Sequence, residues 1–340
     1  MDIFQDAFLV KQIAGFVFTT PVALSPSSYP ICLSHRLFCV GSCFAQRMGQ
    51  RWADHKFTTL INPFGTLYNP ISIFRLMEYA LKEELPEESA YLEREGYYYH
   101  YDFHSDLHAP TQEALRALIE QRLQQVRIFV QTADWMVITL GSAFGYELQE
   151  ANRWVANCHK KPSHLFHKRL LTVEEIHQAF VTLKTLVDTV NPRAHFLMTV
   201  SPVRHLRDTL ERNSVSKATL RLAAEYGCRQ YPQQVHYFPS YEIMLDELRD
   251  YRFYEADMLH PTRVAEDYLW RQLTATYLDQ EAQGFVKQWS PLRKALAHRA
   301  LHPESDSHQR FLRNTLEQLK QLSQKVDVYT EIAQVEQQLQ

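Results

Sequence analysis

From about residue 36 to residue 278, short apolar runs alternate with longer stretches of helical spacing. The runs are Leu37-Phe38-Cys39-Val40, Phe57-Thr58-Thr59-Leu60-Ile61, Trp135-Met136-Val137-Ile138-Thr139-Leu140, His195-Phe196-Leu197-Met198-Thr199-Val200 and Val235-His236-Tyr237-Phe238. Each is short and β-branched or aromatic, as strands are. The spacing predicts helices near 44–54, 70–82, 112–131, 173–190 and 214–229, and Thr172-Val173-Glu174-Glu175 has the form of a capping box, with the acid three residues after the hydroxyl. Strands separated by crossover helices build a parallel sheet covered on both faces. The expected fold is therefore α/β, a three-layer α/β/α domain of residues 1–280 around a mainly parallel, flavodoxin-like sheet of five strands.

Two stretches interrupt this rhythm. In Tyr97-Tyr98-Tyr99-His100-Tyr101-Asp102-Phe103-His104-Ser105-Asp106-Leu107-His108, aromatic and polar residues nearly alternate, which predicts an extended segment with His100, Asp102, His104, Asp106 and His108 on one face. Residues 143–171 read as a long connection rich in His and Lys. Both are expected over one end of the sheet, shaping a cleft. Beyond residue 280 the character changes to Gln, Leu and charges. Leu312, Leu316, Leu319, Leu322, Val326, Tyr329, Ile332 and Val335 follow at intervals of three or four, which predicts one long amphipathic helix in a helical extension of residues 281–340. Such a helix packs on its own domain or recruits a partner, a second copy of the chain included.

Charge and cysteine usage narrow the function classes. Thirty-six Lys and Arg stand against 39 Asp and Glu, a net charge of −3 with no basic stripe, so nucleic acid is not an expected partner. No apolar run approaches a membrane span, and Met1-Asp2-Ile3-Phe4-Gln5-Asp6 lacks the basic start of a secretory signal. The five cysteines, Cys32, Cys39, Cys43, Cys158 and Cys228, are odd in number and contain no CxxC pair. A disulfide framework is not expected and a reducing cytoplasm is. Cys158, His159, His164 and His167 cluster, but without a standard zinc spacing, and neither a metal nor a cofactor is expected.

Two motifs carry candidate chemistry. Val40-Gly41-Ser42-Cys43-Phe44-Ala45 follows the first apolar run and opens a helix, which places a nucleophile at the carboxyl end of the sheet with a helix N-terminus behind it. Asp257-Met258-Leu259-His260 stands near the end of the domain, with a carboxylate spaced to orient one ring nitrogen while the other takes a proton. A nucleophile turn after the first strand and a DxxH after the last is the layout of SGNH or GDSL-type hydrolases. The chain further resembles the GSCFA-domain family, which belongs with those hydrolases. The resemblance rests on Gly41-Ser42-Cys43-Phe44-Ala45, Asn62-Pro63-Phe64-Gly65-Thr66-Leu67-Tyr68-Asn69-Pro70, Thr139-Leu140-Gly141-Ser142-Ala143, Asn157-Cys158-His159-Lys160, Ser201-Pro202-Val203-Arg204-His205, Asn213-Ser214-Val215-Ser216-Lys217, Tyr237-Phe238-Pro239-Ser240-Tyr241-Glu242 and Asp250-Tyr251-Arg252-Phe253-Tyr254, across roughly residues 10–280.

The resemblance implies a fold and a hydrolase. It implies an acyl-enzyme with His260 as general base and Asp257 as its orienting acid. Aligning Gly41 with the Gly of the SGNH Gly-x-Ser turn makes Cys43 the nucleophile, and sliding by one residue makes it Ser42. The oxyanion requires preorganised donors. The nucleophile's own N–H is one, and Gly65 matches the place of a second. The usual Asn of Gly-x-Asn is missing, since Gly141-Ser142-Ala143 ends in Ala, which leaves Asn62, Asn69, Ser142 or Asn157 to substitute. Arg204 and His205 follow the fourth strand and are candidates for an anionic substrate group. The expected activity is hydrolysis of a small-molecule or saccharide acyl ester, such as a carbohydrate O-acyl ester. Acyl transfer and a catalytically degenerate ligand-binding module are the alternatives.

Overall fold

The computed structural model describes residues 19–298 and 300–339, so the amino-terminal hexapeptide lies outside the described residues. In chain order the elements are β1 (Arg36–Gly41), α1 (Cys43–Asp54), β2 (Thr58–Ile61), α2 (Pro70–Lys82), the strands β3 (Tyr91–Arg94) and β4 (Tyr97–His100), α3 (Gln112–Val130), β5 (Trp135–Leu140), the strands β6 (Phe144–Leu148), β7 (Arg153–Val155) and β8 (Phe166–Leu170), and α4 (Val173–Val190). There follow β9 (His195–Val200), α5 (Thr209–Gln230), β10 (Val235–Tyr237), the single turn α6 (Ser240–Glu242), α7 (Arg263–Tyr277), α8 (Gln280–Leu296), α9 (Asp306–Leu322) and α10 (Tyr329–Glu336).

Every apolar run became a strand of one sheet, ordered β10-β9-β5-β1-β2 and parallel throughout. Successive side chains of a strand point to opposite faces, and here each face has its own core. Phe38, Val40, Met136, Ile138, Phe196 and Met198 pack under α2 to α5, whereas Leu37, Cys39, Trp135, Val137 and Leu197 pack under α1, α7 and α8. Burial on both sides is why these strands read as continuous apolar runs. The chain runs outward from β1 to β2 and then restarts at β5 on the other side of β1. The order reverses between β1 and β5, and a doubly wound sheet binds its ligand in the crevice at the carboxyl ends of such a pair.

The helices match the predicted segments, and Thr172 and Glu175 close the expected capping box on α4. The interruptions differ from expectation. The tyrosine-rich run pairs as the β3–β4 hairpin and then turns, because Phe103 N–H bonds to His100 O and Leu107 N–H to His104 O. Asp102 is meanwhile drawn into an ion pair with Arg153 at 2.7 Å, so the His and Asp residues do not line one strand face. Residues 143–171 are not a bare connection. They form a separate antiparallel sheet ordered β7-β6-β8, which shares a small core of Leu92, Tyr99, Tyr101, Leu148, Val155 and Phe166 with the hairpin.

The C-terminal apolar stripe is also divided, into α9 and α10 with a break between them. Leu312, Leu319, Leu322 and Val335 are buried in the same core as Trp52 and Trp289, and Lys56 reaches Glu331 at 2.5 Å. The stripe is therefore covered by the chain's own α1 and α8 side. Among the described residues no helix is long and apolar enough to cross a membrane.

Candidate functional site

The Gly41-Ser42-Cys43 turn is held by backbone that only glycine can supply. Gly41 has φ +134°, and a Cβ there would lie 2.1 Å from Thr139 O. Its N–H bonds to Asn62 Oδ1 at 2.9 Å, its carbonyl accepts from Leu67 N–H at 2.9 Å, and Ser42 N–H bonds to Thr139 O at 3.2 Å. The turn is thereby pinned between β5 and the loop after β2, at the reversal point of the sheet. Cys43 is the first residue of α1, so the N–H groups there have no carbonyl within the helix to bond.

His260 reaches this turn from across 217 residues of sequence, with Nε2 3.6 Å from Cys43 Sγ. On the other side of the ring Asp257 Oδ2 lies 2.6 Å from Nδ1. A carboxylate can only accept, so Nδ1 carries the proton and Nε2 turns its lone pair to the thiol. Asp257 Oδ1 also accepts the N–H groups of His260 and Leu259, at 3.0 and 2.8 Å. Those backbone bonds, with the imidazole, hold the Asp257 carboxyl well below the usual range. Burial pushes the Cys43 thiol up, while the Arg47 guanidinium, the N–H groups of Phe44 and Cys43, and the Lys217 ammonium pull it back. Arg47 in turn pairs with Glu266 of α7, and Arg51 with Asp267 at 2.6 Å, which ties α1 to the helix after His260. Ser42, by contrast, is buried, and its Oγ has no hydrogen-bond partner among the described residues.

Most of the expected oxyanion donors are committed elsewhere. Gly65, at φ +79°, gives its N–H to Asn62 O in a tight turn, and the place of its missing Cβ is taken by His104. Asn69 caps α2 through Oδ1, accepting from Ile71 and Ser72, and its Nδ2 donates to Phe144 O. Ser142 Oγ accepts from Phe144 N–H and meets Ser216 Oγ, and the N–H groups of Gly141 and Ser142 both bond to Tyr68 O. Asn157 Nδ2 donates to Ser105 Oγ. Only the Asn62 amide differs: Oδ1 holds Gly41, and the buried Nδ2 has no partner among the described residues.

The expected anion-binding pair also has local work. Arg204 donates to Met258 O through its guanidinium, and its backbone N–H bonds to Leu259 O at 3.3 Å. Its guanidinium sits 4.0 Å from the centre of the Tyr254 ring. Arg204 therefore holds the Asp257–His260 turn in place, and Met258 occupies the left-handed region at φ +60° within that turn. His205 directs Nε2 to Gly141 O at 3.1 Å, and burial lowers its proton affinity. Of the His-rich segments, His159 Nε2 bonds to His100 O and His100 Nε2 to Glu87 O.

One group at the site escaped the sequence reading. Lys217 of α5 is 1% exposed, and its Nζ donates to Gly141 O and to Ser201 O, both at 2.8 Å. Its signal was the helical spacing of Asn213, Ser216, Lys217 and Leu220, all buried on one face of α5. Burial pushes the ammonium down to about 7, opposed by Cys43.

Comparison with known families assigns residues 36–273 to the model described as the GSCFA family and residues 289–340 to the GSCFA domain protein, C-terminal domain. No curated protein matches the chain.

Proposed function

We propose that this chain, which belongs to the GSCFA family, is an SGNH-type acyl ester hydrolase working through an acyl-thioester on Cys43. The observation that carries the reading is the chain of contacts from Cys43 Sγ through the His260 ring to Asp257, at 3.6 and 2.6 Å. His260 Nε2 takes the thiol proton, and the thiolate attacks the ester carbonyl. The N–H groups at the start of α1 face the charge that develops on the carbonyl oxygen. The alkoxide leaves with the proton from His260. Water, deprotonated by the same nitrogen, then attacks the thioester, releasing the acid and restoring the thiol. Asp257 keeps Nδ1 protonated throughout and stabilises the imidazolium.

The substrate class is a small-molecule or saccharide acyl ester, for instance a carbohydrate O-acyl ester. A cavity of about 360 Å³ mixes apolar and aromatic lining, Met244, Leu248, Tyr251 and Tyr254, with charged Arg204, Asp246, Arg249 and Asp250. It does not include Cys43 or His260, and its link to them is the bridge from Tyr254 to Pro261, next to His260. A thiol nucleophile suits a reducing cytoplasm. A second reading, a degenerate ligand-binding module, is favoured by the committed amides and hydroxyls of Gly65, Asn69 and Ser142. Transfer of the acyl group to a hydroxyl or amine in place of water is a variant of the first, and added acceptors would reveal it as acylated product.

The test is intact mass after incubation with an activated acetyl ester, with peptide mapping of the adduct, in wild type, Cys43→Ser, Ser42→Ala and His260→Ala. The expected result is an adduct on Cys43 that survives Ser42→Ala, and turnover reduced about 10²- to 10⁴-fold by His260→Ala. Hydrolysis of an ester panel by His260→Ala at the wild-type rate would end the proposal, and an adduct on Ser42 would overturn the assignment of the nucleophile.

A further inference from the structure

The cavity beside the Asp257–His260 turn is built by an irregular stretch of chain between α6 and α7. Ile243–Glu247 winds as a single π turn, with Leu248 N–H on Ile243 O at 2.9 Å, and the 3-10 turn Tyr251–Phe253 follows it. A π turn is an interruption of helical packing that recurs at functional sites. Here it borders the open volume of about 360 Å³. Small-molecule sites run from about 300 to 1,000 Å³, so the space admits one or two rings.

Three kinds of group line it. Met244 and Leu248 are buried and give an apolar floor. Tyr251 and Tyr254 give an aromatic wall, their ring centres 6.0 Å apart and Tyr251 61% exposed. Asp246 and Asp250 with Arg204 and Arg249 give a rim of two carboxylates and two guanidiniums, which sums to no charge. Among the described residues Asp246 and Arg249 have no hydrogen-bond or ion-pair partner, Asp250 spends Oδ1 on Arg252 N–H, and Arg204 spends Nη2 on Met258 O. We propose that this cavity binds a neutral saccharide ring. A balanced rim gives no single-signed field to attract a phosphate or an ammonium. Carboxylates that only accept, set among guanidiniums that only donate, match neighbouring hydroxyls, each of which does both. The C–H face of the ring covers the tyrosines, while a wholly apolar ligand would cover the rim without bonding to it.

Backbone joins the aromatic wall to the base. Glu255 N–H bonds to His260 O and Thr262 N–H to Phe253 O, both at 2.8 Å, so Tyr254 stands opposite Pro261. The Arg204 guanidinium lies 4.0 Å from the centre of the Tyr254 ring and 5.2 Å from that of Tyr251, and its bond to Met258 O enters the Asp257–His260 turn. A saccharide held there is the alcohol half of the ester. That role rests on the hydrolase reading, whereas the binding itself does not.

The test titrates the full chain with the methyl glycosides of glucose, galactose, mannose and N-acetylglucosamine, read by saturation-transfer NMR, with benzyl alcohol as the apolar comparison. At least one glycoside is expected to bind with a Kd on the order of 1 mM. Tyr251→Ala removes an exposed ring and should weaken that binding about tenfold. Tyr97→Ala removes a ring 45% exposed on β4, outside the cavity, and should leave it unchanged. Saturation should also shift the Hε1 resonance of His260, identified by its loss in His260→Gln. The inference is overturned if no glycoside binds saturably up to about 50 mM, if Tyr251→Ala binds as wild type does, if Tyr97→Ala weakens binding equally, or if benzyl alcohol binds more tightly than every glycoside. Binding with an unmoved His260 resonance would overturn the assignment to the alcohol half. No ester is present, so binding without turnover in the ester assay would count against the hydrolase reading alone, and turnover without binding against the saccharide site alone.

Discussion

Acid should destabilise the fold through His159, and the size of the effect follows from its surroundings. The residue is 1% exposed, with its ring centre 5.1 Å from that of Tyr99 and 6.1 Å from that of Tyr101. Nε2 donates to His100 O at 2.9 Å, and Nδ1 has no partner among the described residues. Burial pushes its proton affinity down to about 4, with Arg94, His100 and His104 adding to the shift. Between the ordinary histidine value near 6.5 and that value, the unfolded chain holds a proton that the folded chain does not, so stability falls as the pH falls. At pH 4.5 the difference amounts to about 2.5 kcal/mol, and allowing for water penetration about 2 kcal/mol. His159→Gln retains a donor for His100 O and does not ionise. Urea unfolding of wild type and variant at pH 7.0 and pH 4.5 gives a double difference in which other titrating groups cancel. The variant should lose about 2 kcal/mol less than wild type over that interval. Equal losses would show that His159 accepts a proton in the folded chain as readily as in the unfolded one, and would refute the argument.

Gly41→Ala should cost more than about 4 kcal/mol, because a Cβ at φ +134° meets Thr139 O at 2.1 Å. A thermal melt within two or three degrees of wild type would contradict it. Leu319→Ala should cost about 3 kcal/mol in urea unfolding, since that side chain is fully buried between α9 and the α1 and α8 core. A loss below about 1 kcal/mol would mean that the C-terminal helices do not share the domain's core.

The strands and their helices were legible because burial on both faces leaves uninterrupted apolar runs such as Trp135 to Leu140, and because crossover helices separate them. The two ends of the Cys43–His260 contact were legible as local motifs, each with its own spacing. Residues 144–170 were not, because strands of three to five residues with one polar face, as in Phe166-His167-Lys168-Arg169-Leu170, give too short a period to read. Nor could sequence show that Asn69, Ser142 and Gly65 are already bonded, since some of the partners, such as Phe144 for Asn69 and Ser216 for Ser142, are distant in the chain. Lys217 is the hardest case. A lysine in a polar stretch reads as a solvated charge, and only the register of Asn213, Ser216, Lys217 and Leu220 on one helix face points inward.

The link from Arg47 and Arg51 on α1 to Glu266 and Asp267 on α7 has a consequence for how the protein comes into being. Cys43 belongs to the first helix to leave the ribosome after β1, while His260 arrives more than two hundred residues later. A nascent or partly folded chain therefore carries Cys43 with no imidazole beside it, and closing so long a loop comes late in folding. The Cys43–His260 contact exists only once α7 has docked, so that pairing marks the point at which the chain has finished folding.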